Sequence, residues 1–239
     1  MGPISLIPED IHIIMSISQL SLLRLMNLMS PTLPIGGFTY SQGIEQAIEN
    51  NWISDIDTAQ QWLENQLFFG LVYTDLPILI RLYESVSIGD KDQAQEWSNF
   101  LLACRETREL RQEEINRGRA LTKVIESLES SAVSGWGKIT NTNHLSGYAL
   151  ISNVWQIPID ELLLGYSWSW LENQVSAIVK IIPLGQTEGQ QLLNQLLKEI
   201  PEVISKSKAV SVEDIGMTQP AFAIASSLHE TQYTRIFRS

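Results

Sequence analysis

Apolar residues return every three or four positions over most of the chain. In ISQLSLLRLMNLM, Leu20, Leu23 and Met26, with Leu22, Leu25 and Met29, form a broad stripe that Ser30-Pro31 stops, which predicts a first helix. Thr39-x-x-Gln42 has capping-box spacing and predicts the start of a second helix, closed by Asn50 and Asn51. Asp57-x-x-Gln60 repeats the device ahead of WLENQLFFGLVY. Thr74 or Asp75, with Pro77 tolerated in a first turn, predicts a further start, and Gly89 its end. Asp90-x-x-Gln93 predicts a long helical region, broken once near Arg105, that reaches about Ser130.

The stretch SAVSGWGKITNTNH, residues 131–144, is rich enough in Ser, Gly and Asn to predict a true loop that could serve as a hinge. A helix through Trp155, a boundary at Pro158 and a long apolar helix to Ile182 follow, then a Pro183-Leu184-Gly185 turn. Thr187-x-x-Gln190 predicts the next cap, and Pro201 the end of that helix. Alternating strand patterns are scarce, KAVSVEDIG being the one passable candidate, and no internal repeat or low-complexity tract occurs. The expected fold is all-α: a single-domain irregular bundle of roughly eight to ten helices.

Charge narrows the partners. Sixteen Lys and Arg stand against 27 Asp and Glu, a formal net charge of −11 over 239 residues, which argues against nucleic acid or an anionic membrane surface and suits protein partners. A lone cysteine, Cys104, excludes an internal disulfide and fits a reducing compartment. Glu9 and Asp10 interrupt what a secretory signal would need, and the apolar run LLLGYSWSWL is about half of the ~20 residues a bilayer span requires, so a cytoplasmic location and no membrane insertion are expected.

Candidate chemistry falls away motif by motif. GxxxxGK[ST] and GxGxxG are absent, and Gly135-Trp136-Gly137-Lys138 is followed by Ile139 where a magnesium-binding hydroxyl would stand. His229-Glu230 begins a metalloprotease-like string, but position 233 is tyrosine. His12 and His144 lack Cys or His neighbours at ligand spacing, so no metal site is expected. Gly165-Tyr166-Ser167-Trp168-Ser169 fails the nucleophile elbow at its last position, and Cys104 in NFLLACRET reads as a packed, inert thiol. Glu113 and Glu114 project about 100° apart on a helix and cannot share a proton or a metal. No DDxxD-like run supports an isoprenoid-diphosphate enzyme. No catalytic residue and no cofactor follow, and a binding protein becomes the better expectation.

Three stretches remain. CRETRELRQEEINRGRA sets five arginines among four glutamates, with Glu113 and Arg117 at the favourable i, i+4 spacing. It reads either as a solvated, self-paired helix face or as a set of planar forks for carboxylate or phosphate. The tail SLHETQYTRIFRS carries Tyr233, Arg235, Ile236, Phe237 and Arg238, residue types that carry energy at interfaces. SPTLPIGGFTYSQGIEQAIE lacks a phosphate-binding lysine and a βα context, so Pro31, Pro34, Gly36 and Gly37 form a rigid corner rather than an anion cradle.

LMSPTLPIGGFTYSQGIE, TRELRQEEINRGRAL, PLGQTEGQQLL and HETQYTRIFRS resemble, in that order and spacing, the urease accessory proteins of the UreF family, over about Leu22 to Ser239. Thr39 stands where serine is usual, and Gln42 where histidine or glutamine is. The resemblance implies an all-α, homodimeric, non-enzymatic protein that complexes UreD (also called UreH) and the GTPase UreG and helps load nickel into apo-urease. It implies an N-terminal extension (1–21), an all-α body (22–227) and a docking tail (228–239). His229, Glu230, Tyr233, Arg235, Phe237 and Arg238 would dock UreD/UreH, the end becoming ordered on binding. The corner would place Tyr40, Gln42 and Glu45 at a protein interface, against plain packing by Phe38 and Tyr40. Arg105 or Arg108 would contact UreG or the dimer partner. A generic helical adaptor for other partners is the alternative.

Overall fold

A computed structural model describes residues 17–217 and 219–239, and their architecture is all-α. In chain order the helices are α1 (Gln19–Leu28), α2 (Ile44–Glu49), α3 (Ile56–Asn65), α4 (Leu76–Ser87), α5 (Lys91–Cys104), α6 (Arg108–Leu128), α7 (Gly137–Thr140), α8 (His144–Val154), α9 (Ile159–Ile181), α10 (Gln186–Leu196), α11 (Ile200–Lys208) and α12 (Pro220–His229). Ten of these have nine or more residues, within the expected range, and no strand occurs among the described residues. Residues 1–16 of the expected N-terminal extension, with His12, lie outside the described residues, while 19–21 already belong to α1. Among the described residues no helix is long and apolar enough to cross a membrane.

Several helices start where a short polar side chain takes up a free first-turn N–H. Ser18 accepts from the Ser21 N–H at 3.1 Å, Asp90 from Gln93 at 3.0 Å, Thr107 from Leu110 at 3.3 Å and Asn143 from Ser146 at 2.9 Å. Arg105 marks the break between α5 and α6 as expected, and Gly89 closes α4 with φ +74°.

Other boundaries differ, each for a local reason. Thr39 and Gln42 form no capping box: Thr39 ends a 3₁₀ turn (Gly37–Thr39), Gln42 has φ +51°, and α2 starts only after Gly43 at φ +82°. The cap of α3 is Asp55, which exchanges hydrogen bonds with Thr58, rather than Asp57 with Gln60. α4 starts after Asp75 with Pro77 in its first turn, as expected, but no side chain caps it: Gln66–Asp75 runs from α3 into it as a wide π-type coil, with the Leu76 N–H donating to the Leu71 carbonyl. The α10 cap is Gly185, whose N–H donates to Glu188 Oε2 at 2.7 Å. Pro201 opens the first turn of α11. Residues 131–144 are no hinge: they contain α7, and Val133, Ile139, Thr140, Asn143 and His144 are buried.

The core gathers around α8, which is buried from His144 to Ser152 between α4, α6 and α7. Small residues make that possible. A Cβ on Gly118 of α6 would lie 2.8 Å from the Thr140 carbonyl oxygen and the Asn143 carbonyl carbon, so α6 crosses the α7–α8 turn backbone to backbone. α9 spans the opposite side, against α1, α2, α10 and α11, and α12 closes over α2.

Helix propensity alone would favour Gly118→Ala by about 1 kcal/mol. Contact with unyielding backbone at 2.8 Å decides the sign the other way, and a net loss of about 1–3 kcal/mol is expected from overpacking. Gly147→Ala meets the Leu121 side chain at 2.7 Å, which can move. Urea unfolding of the two variants should therefore show the lower midpoint for Gly118→Ala.

Candidate functional site

The α5–α6 break turns Arg105 inward, and a ladder of buried charge builds from it. Arg105 Nη2 lies 2.5 Å from Asp75 Oδ1 and 2.7 Å from Glu114 Oε1, and Arg105 Nε donates to the same Glu114 oxygen at 2.9 Å. Tyr166 donates its hydroxyl to Asp75 at 3.0 Å, and His144 Nδ1 lies 2.7 Å from Glu114 Oε2. The π-type coil is what brings Asp75 to this point. Burial alone would discharge Arg105, but Asp75 and Glu114 outweigh it and hold the guanidinium charged. Burial would likewise raise Glu114, yet the attraction of His144 and Arg105 holds its carboxyl well below the usual range. His144 is pushed the other way, below its ordinary value, by burial and by the Arg117 charge, against the pull of Glu114 that its Nδ1 hydrogen-bonds.

On the residue just before Glu114, Glu113 Oε1 accepts from Arg117 Nη1 at 3.0 Å and from Gln42 Nε2 at 2.9 Å. Trp170 Nε1 donates to Gln42 Oε1 at 2.9 Å. The solvated reading of this segment is thereby corrected: the Glu113–Arg117 pair forms, but Glu113, Glu114 and Arg117 are all buried. Arg108 stays exposed while Arg105 does not. Glu113 and Glu114 do serve different partners, as their angular separation requires. Beside the ladder a polar cleft of about 40 Å³ has room for little more than one water. Burial pushes the Cys104 thiol up to about 11, which makes it a poor nucleophile.

The C-terminal residues lie across this body as a strap. Glu45 on α2 accepts from the Ile236 N–H at 2.7 Å and the Phe237 N–H at 2.9 Å. The Ser41 N–H and hydroxyl both donate to the Ser239 main-chain oxygen, at 2.8 and 2.6 Å. The Arg238 N–H donates to the Thr39 carbonyl at 2.9 Å, and the Ser239 hydroxyl to Glu113 Oε2 at 2.9 Å. Glu109 of α6 pairs with Arg235 and with His229 Nδ1, while Glu230 Oε1 accepts from the Glu109 N–H at 3.1 Å, an anion at a helix N-terminus. Lys180 sits 5.7 Å from the Phe237 ring and 6.0 Å from that of Phe38.

Two groups of interface residues are thus separated by burial. His229 is the fully buried last residue of α12, and Phe237 is buried too. Tyr40 and Glu45 face inward and Gln42 is half-buried: Glu45 holds the strap, Gln42 bonds Glu113, and the Tyr40 hydroxyl accepts from Asn116 at 3.3 Å. Glu230, Tyr233, Arg235 and Arg238 remain outward, joined by Ile236, which is 66% exposed; Tyr233 is fully exposed. The end is already seated on its own chain, in contrast to one ordered only on binding. Pro31 and Pro34 are exposed on the corner, where Gly36 takes φ +73° and a Cβ on Gly37 would lie 3.3 Å from Asn173 Nδ2. Asp75, Tyr166, Ser41 and Glu109 escaped sequence reasoning, because no local spacing links residues so far apart along the chain.

Known proteins agree on the type. The UreF family model matches residues 53–197. A urease accessory protein UreF of Pseudomonas putida (strain W619) is 45% identical over 222 residues, covering 93% of this chain and 99% of that one. Its counterpart in Alcanivorax borkumensis is 46% identical with coverages of 90% and 97%, and that of Klebsiella pneumoniae (strain 342) 42% with 91% and 97%.

The ladder makes stability depend on pH with a definite sign. As pH falls below 6.5, the unfolded chain protonates His144 before the native state does; below 4.5 the same holds for Glu114. Both lowered values therefore add stability near neutrality that is lost on acidification. His144→Gln is expected to flatten the decline between pH 7 and pH 5, and Glu114→Gln to cost about 3–5 kcal/mol by leaving Arg105 half-paired, both checked by urea midpoints across that range.

Proposed function

The chain belongs to the UreF family of urease accessory proteins, and from that membership we propose that it bridges UreD/UreH and the GTPase UreG and couples GTP hydrolysis to nickel insertion into apo-urease. The observation that carries this reading is the strap: a short segment anchored from beneath by Glu45, Ser41 and Glu113, with Tyr233 and Ile236 turned outward. Holding a contact segment in place before a partner arrives removes the ordering cost of binding. Exposed aromatic and aliphatic anchors flanked by Arg235 and Arg238 have the composition of an energetic centre at an interface.

In this reading the strap docks UreD/UreH. Arg105, clamped between two carboxylates, works as a strut, and Arg108 is the arginine able to reach UreG or a second copy of the chain. Nickel is cargo of the assembly, and the protein acts in the cytoplasm as a homodimer.

Removing everything from Leu228 onward would take away buried His229 and leave Glu45 without its donors, so point changes on the outer side of the strap are the cleaner test. Tyr233→Ala with Ile236→Asp is expected to leave thermal unfolding unchanged and to weaken co-purification of UreD/UreH roughly a hundredfold, two anchors at about 2 kcal/mol each being partly additive. Urease activity in cells carrying the double variant should fall in parallel. Undiminished capture of UreD/UreH would remove the strap from the docking role.

A further inference from the structure

α6 carries Arg108, Arg111, Arg117, Arg119 and Lys123 against Glu109, Glu113, Glu114 and Glu126, nearly balanced in sequence. The fold unbalances it, leaving only Glu126 of the four glutamates exposed. Glu113 and Glu114 turn into the core, and Glu109 is taken up by Arg235 and His229. Arg108, Arg119 and Lys123 stay exposed, and among the described residues none of them has an ion pair. Arg119 and Lys123 stand at i, i+4, a like-charge pair that costs a helix a few tenths of a kcal/mol.

These two cations, with Val124 and Ser127 of the same helix, line an open groove of about 460 Å³ between α6 and the corner at Pro34. We propose that this groove docks an acidic, carboxylate-bearing segment of a partner protein, with Arg119 and Lys123 as its contact charges. Charge complementarity selects the occupant. On a molecule of net charge −11, a basic groove draws an acidic surface to one place and one orientation while the rest of the molecule repels it. The same net charge disfavours nucleic acid. The rigid corner then has a second duty beyond delivering α2: it holds the far wall at fixed distance from α6.

The inference rests on the maturation role only for the choice of partners, and the experiment separates the two. Association rates of purified UreD/UreH, UreG and apo-urease with the full chain would be measured at low and at molar salt for wild type, for Arg119→Glu with Lys123→Glu, and for Tyr233→Ala with Ile236→Asp. A milder Arg119→Gln, Lys123→Gln pair guards against a folding defect. At least one partner is expected to associate about tenfold more slowly with the charge-reversed protein at low salt, with an intermediate effect of the glutamines and convergence at molar salt, because exposed charges are screened there. Charge reversal that leaves every rate within twofold, or a loss that persists in molar salt, overturns the groove. Wild type binding none of the three overturns both readings, while loss confined to the charge-reversed protein leaves the strap's docking role to be judged by its own variant.

Discussion

A carboxylate removed from water must meet its opposite charge and its hydrogen-bond donors within a few ångströms, and the middle of this protein is organised around that demand. Glu114 and Asp75 are tolerable in the core because Arg105 reaches both, and Arg105 is tolerable because it has both. Such an arrangement adds little net stability over a well-packed apolar core, but breaking any one member is expensive. It therefore acts as a specifying device: α4, α6, α8 and α9 each contribute one group, Asp75 preceding α4, Glu114 on α6, His144 on α8 and Tyr166 on α9.

The strap extends the same logic to the surface. Glu113, next to Glu114 but pointing elsewhere, ties Gln42 and Arg117 to the buried last residue of the strap, Ser239. Glu45 does the equivalent for Ile236 and Phe237 through their main-chain N–H groups, which leaves the side chain of Ile236 to face solvent. The placement of the strap thus depends on the buried polar residues beneath it. An arginine reserved as a core strut and an arginine offered at the surface stand three residues apart, Arg105 in the break and Arg108 in the first turn of α6.

How much of this is legible in the chain depends on the range of the physics involved. Helix spans follow from apolar periodicity and from caps such as Asp90, which are local, and these agree closely. Capping-box spacing misleads at Thr39, where left-handed Gly43 sets the start of α2, and at Thr187, where Glu188 instead caps the Gly185 N–H; a spacing of three residues reveals neither. The corner glycines are legible for a similar reason: left-handed torsion at Gly36 is a local requirement. The long-range polar partners are not, since Asp75 with Tyr166 and Glu45 with His229 are joined only by folding.

By itself the sequence determined the all-α class, most helix spans, the acidic net charge and the family, because periodicity, composition and ordered motifs survive in one dimension. Tertiary structure alone decided which charged residues are buried. Glu113 and Arg119 are equally polar on paper, and only the packing of α6 against α8, set by the small residues at Gly118 and Gly147, determines that one enters the core and the other is left in water.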